Sequence, residues 1–79
     1  MTRVEMIAHA DAAAADVLVQ WRSVEIDWAD VGTVQRELDA HWGADLANLT
    51  EEWSYADEGE YRQLVARALY QQHSVSRNA

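Results

Sequence analysis

The sequence predicts an all-α protein, a small bundle of three to five short helices, with residues 24–28 as the one segment that the pattern also allows to be extended. Three observations carry this reading. Apolar residues recur at spacings of three, four and seven along most of the chain, which is the period of a helix face. Capping patterns stand ahead of the strongest periodic runs, at Thr2-Arg3-Val4-Glu5 and at Asp57-Glu58-Gly59-Glu60. The one run that alternates like a strand has no second run with which to pair.

The first helix is expected over residues 3–22. Thr2 and Glu5 can satisfy backbone amides that have no partner inside the helix, and the run Ala12 to Ala15 is strong helix former. Val4, Ile7, Ala14, Leu18 and Trp21 fall on one side and mark its apolar face. Val24 to Trp28 alternates with period two, yet Val17, Trp21, Val24, Trp28 and Val31 also keep a helical rhythm. Helix or irregular structure is favoured there, unless two copies of the chain pair through it.

Asp30 or Thr33 can cap a short helix carrying Val34, Leu38, His41 and Trp42, which should end at Gly43. Leu46, Leu49 and Trp53 mark a further stripe, with a helix start near Asp45 or Thr50. The last helix follows Asp57-Glu58-Gly59-Glu60, whose carboxylates suit the positive end of the helix dipole, and carries Tyr61, Leu64, Val65, Ala68 and Leu69, with Tyr70 beside them. Arg67 and His73 stand toward its C-terminal end. Residues 1–73 read as one helical domain and 74–79 as a frayed tail.

Size and composition narrow the function. A chain of 79 residues hides only about 60% of its unfolded surface on folding, so a homodimer is a live expectation. No cysteine means no disulfide, no thiolate metal site and no thiol nucleophile, and no lysine means no Schiff base. The arginine-only, alanine-rich bias points to a high-GC bacterial or phage genome. No membrane span or signal peptide is expected, because Asp11 and Asp16 break the early apolar stretch, and the expected location is cytoplasmic. A net charge of −8 argues against direct nucleic-acid or anionic-membrane binding and favours a basic protein partner.

The stretch Asp27-Trp28-Ala29-Asp30-Val31-Gly32 begins like a calcium loop. Positions three, five and twelve hold Ala29, Val31 and Leu38, however, so a helix-start turn capped by Asp27 or Asp30 is the better reading. His9, His41 and His73 are too dispersed to form a metal pair on one helix face; His9 has Glu5 one turn earlier. The serines lack a nucleophile-elbow context, and neither a cofactor nor an enzymatic activity is expected.

The unusual feature is charge. Between Val24 and Glu60 eleven acids stand against the single Arg36, giving that segment −10, and three of the four tryptophans lie within it. In a bundle without phenylalanine a tryptophan is first of all core, and charge runs are commonly solvated faces. Yet so strong an imbalance costs self-repulsion that mixed charges would avoid. The favoured function is therefore a small protein-interaction protein, an inhibitor or regulator that covers a basic, nucleic-acid-binding surface of a partner and imitates nucleic acid. Its contact residues would be Glu25, Asp27, Trp28, Asp30, Glu51, Glu52, Trp53, Asp57, Glu58 and Glu60. The alternative is a structural dimer or assembly subunit, such as an antitoxin-like or adaptor protein. No motif identifies a family.

Overall fold

The computed structural model describes residues 2–49 and 53–78. They form three α-helices, α1 (Arg3–Gln20), α2 (Val31–Leu49) and α3 (Tyr55–Asn78), with a 3-10 turn at Trp21–Ser23. This is the all-α bundle that the periodicity predicts. Thr2 is extended and its hydroxyl accepts a hydrogen bond from the Glu5 N–H at 3.2 Å, which starts α1 at the expected place. At the other end the Trp21 N–H still reaches the Val17 and Val19 carbonyls. Val24 then turns to an extended conformation (φ −102°, ψ 132°), and the segment from there to Asp30 is an irregular connection, neither a continued helix nor a strand.

Contacts along the helices fix their order. Arg3 pairs with Glu60, the Gln72 side chain donates to the Asp11 carbonyl at 3.0 Å, and Trp28, just beyond α1, lies on His73. α1 and α3 therefore run in the same general sense. α2 returns between their ends, since Asp39 meets Arg62 while the connection leading into α2 sits beside His73. α3 packs against both other helices, and Trp21, in the 3-10 turn after α1, meets His41 of α2 edge to face.

The buried face of α1 agrees with the expected one at Ala14 and Trp21, with Leu18 half-buried, and departs from it nearer the N-terminus. Met6, Ala10, Ala14, Val17 and Trp21 are buried, whereas Val4 is 77% and Ile7 39% exposed. α1 contributes Ala10 and Ala14, and α3 contributes Ala66 and Ala68, to one core cluster, and small side chains suit close helix packing. The same cluster holds the fully buried Tyr61, Val65 and Leu69 of α3, Val17 of α1, and Val34 and Leu38 of α2.

Two expected boundaries also move. α2 does not stop at Gly43 but continues to Leu49, so the helix start expected near Asp45 falls inside it, and the alternative at Thr50 lies outside the described residues. A glycine ends a helix by adopting positive φ, and no described glycine does so. α3 starts at Tyr55, two residues before the expected acidic cap. Ser54 performs the capping, its hydroxyl accepting from the Asp57 N–H at 3.2 Å and its carbonyl from the Glu58 N–H at 3.0 Å. Asp57 and Glu58 then lie in the first turn, where the helix dipole favours them. The segment after His73 that was expected to fray is helical as far as Asn78.

Candidate functional site

The expected contact residues separate into two groups at opposite ends of the bundle. Glu25, Asp27, Trp28 and Asp30 belong to the connection between α1 and α2, which lies beside His73. Asp57, Glu58 and Glu60 belong to the first turns of α3, with Trp53 just ahead of them. Sixteen helical residues separate Asp57 from His73, or about 24 Å along α3. Glu51 and Glu52 lie outside the described residues. The acids therefore form no single face.

At the α3 start much of the charge is compensated. Arg62 donates to Asp39 and to Glu58, each at 2.9 Å, and Arg3 reaches Glu60 from the first turn of α1. Both arginines lie outside the −10 segment in sequence, so counting charge along the chain could not find them. The Glu58–Arg62 pair alone carried a local signal, an acid four residues ahead of a base on one helix. Asp57 is exposed and makes no ion pair among the described residues.

Beneath these charges is an aromatic cluster. Trp53 meets Tyr61 edge to face at 4.9 Å, and His9 Nδ1 lies 2.8 Å from the Tyr61 hydroxyl. The partner of His9 is thus Tyr61 on another helix, not Glu5. Tyr61 is fully buried, and burial pushes its phenol up to about 12. A phenol that stays protonated across the neutral range keeps its hydroxyl as a neutral hydrogen-bonding partner of the His9 ring.

The connection is organised differently. Asp27 accepts from the Ala29 N–H at 3.0 Å, forming a small turn, and Asp30 accepts from the Thr33 N–H at 2.8 Å and the Thr33 hydroxyl at 3.0 Å, capping α2. The calcium-like stretch is thus a turn followed by a helix cap. Glu25, Asp27 and Asp30 are all exposed, and none makes an ion pair among the described residues. The connection is pinned by aromatic contacts. Trp28 stacks on His73 with ring centres 3.8 Å apart and planes 3° from parallel, and Trp21 meets Trp28 at 6.2 Å and His41 at 6.0 Å, both edge to face. Trp28 is therefore half-buried, as is Trp53. His41 also stands 3.7 Å from Glu37.

The hydrogen bonds from Thr33, backbone first and hydroxyl second, hold the Asp30 carboxyl below its usual range, with Arg36 adding to the effect. A lowered carboxyl favours the folded state above the unfolded pKa, and that contribution is lost as pH falls through the folded value. Asp30→Ala should lower Tm at neutral pH by roughly 4–8 °C, because α2 loses its cap. Asp30→Ser, which retains a capping oxygen without a charge, should come close to the parent at neutral pH and lose less stability than the parent on acidification below about pH 4. Thermal denaturation at both pH values checks this.

No helix among the described residues is long and apolar enough to cross a membrane, and no group of three or more histidine, aspartate or glutamate side chains among them could hold a metal ion. No protein-family model, curated protein or solved structure matches the chain.

Proposed function

We propose that this chain is a small acidic interaction protein that covers a basic surface on a nucleic-acid-binding partner, as an inhibitor or regulator, and that it does so through the connection between α1 and α2. One observation carries the proposal: Glu25, Asp27 and Asp30 are exposed and make no ion pair among the described residues, on a segment that Trp28 anchors to α3. Anchoring matters because pre-organised carboxylates lose less conformational entropy on binding than mobile ones. Arginine or lysine of the partner would meet the three acids, and the net charge of −8 would steer the encounter. The acids at the start of α3 have a smaller part, since Arg3 and Arg62 already hold Glu58 and Glu60.

The test is capture from a bacterial lysate at low ionic strength. The parent is compared with the triple variant Glu25→Gln, Asp27→Asn and Asp30→Ser, chosen to retain the turn and the α2 cap. The parent should retain a nucleic-acid-binding protein that salt elutes and duplex DNA displaces, and the variant should retain about tenfold less. Equal capture by both, or capture that DNA does not affect, would overturn the proposal.

A second reading, a dimer or assembly subunit, is favoured by the exposure of Val4, Val19 and Val75 at 77%, 58% and 68%. It requires an oligomer in sedimentation that persists or tightens as salt rises, whereas charge-steered binding weakens.

A further inference from the structure

We propose that the cleft beneath the Trp21–Trp28 corner binds a small carboxylic acid with an apolar, preferably aromatic, body. The cleft has a volume of about 290 Å³ and lies where the end of α1, the start of the connection and α3 converge. This is the small end of the range for ligand sites, which suits a compact molecule. Its walls are mixed: polar atoms make up the larger share of the lining, while Leu18, Val19 and Val24 supply aliphatic patches and the two tryptophans supply rings. They are also set in advance, since Trp21 is only 8% exposed and Trp28 is held by its stack on His73.

The sign of charge in this cleft runs against that of the molecule. The chain has fourteen acids and six basic residues, and two other clefts between its helices are lined by Asp11 and Asp16. Here the polar groups are Arg22 and His73, with no carboxylate in the lining. Arg22 makes no ion pair among the described residues, although Glu25 and Asp27 are close in sequence, and His73 makes no hydrogen bond among them. An unengaged guanidinium presents a planar fork that matches a carboxylate, and the edge of the His73 ring offers a further nitrogen. At physiological ionic strength repulsion from the other acids is screened beyond about 8 Å, so the local arginine decides.

The probe is phenylacetate, with uncharged phenylacetamide as its isostere, titrated into isotopically labelled protein and followed by NMR. Phenylacetate should shift the indole N–H signals of Trp21 and Trp28 and the ring signals of His73, and leave those of Trp42 and Trp53 in place. The amide should bind at least about tenfold more weakly, and Arg22→Gln should weaken phenylacetate by a similar factor. Arg67→Gln, at an exposed arginine remote from the cleft lining, should change nothing. Equal binding of acid and amide to the parent protein overturns the proposal without recourse to any variant. So does unchanged affinity in Arg22→Gln, or the absence of shifts up to about 20 mM phenylacetate, a concentration well beyond a millimolar site.

Discussion

Leu69→Ala is expected to remove about 2–5 kcal/mol of folding stability. The side chain is fully buried on α3, the helix that packs against both of the others, so its neighbours are held from two sides and cannot easily collapse into the space left. Loss of the transferred methyl groups and retention of a cavity then add. A domain of this length has on the order of 4–12 kcal/mol in total, so the variant should populate unfolded molecules at room temperature. Urea denaturation followed by tryptophan fluorescence should show a much lower midpoint with an unchanged slope. Val75→Ala on the same helix, where the side chain is 68% exposed, should stay within about 0.5 kcal/mol of the parent. A Leu69 variant losing less than the exposed control would mean that α3 is not the centre of the core.

The periodic stripe on α3 was legible in the sequence because the rule that produces it is local. Tyr61, Val65, Ala68 and Leu69, read from spacing alone, are all buried, and Leu64 is half-buried. The caps at Thr2 and Asp30 were legible for the same reason, since a capping oxygen and its amide are two or three residues apart. Gly43 misled because a glycine marks a helix end only where the backbone takes positive φ, and one-dimensional spacing does not contain that angle. The candidate site was legible only in its residue types. Trp28 finds His73, His9 finds Tyr61 and Glu60 finds Arg3 across the bundle, and no local pattern joins the members of these pairs. The three exposed acids of the connection were in view from the start; that the acids of α3 are compensated was not, because the compensating arginines come from outside the segment.

Ala10→Leu should separate the two possible faces of α1. Choosing a helix face by hydrophobicity selects Val4 and Ile7 over alanine, since branched side chains have more apolar surface to hide. The structure reverses that choice: Ala10 is buried and Val4 is 77% exposed. Beside a buried alanine in a packed core the space is already filled, and three added carbons must displace neighbouring side chains or the helix itself. A loss of about 1–3 kcal/mol is expected, the larger value if α1 shifts enough to disturb Val17 and Trp21 on the same face. Helix propensity cannot account for such a loss, because leucine is nearly as good a helix former as alanine. Val4→Ala should cost less than about 1 kcal/mol, as the side chain is 77% exposed and most of what it removes already touches water. If Val4 and Ile7 were the packed face, the order would invert, with Val4→Ala costing more than Ala10→Leu. Chemical denaturation of the two variants side by side therefore tests the α1–α3 contact, on which the position of Trp21 and the whole connection beyond it depend.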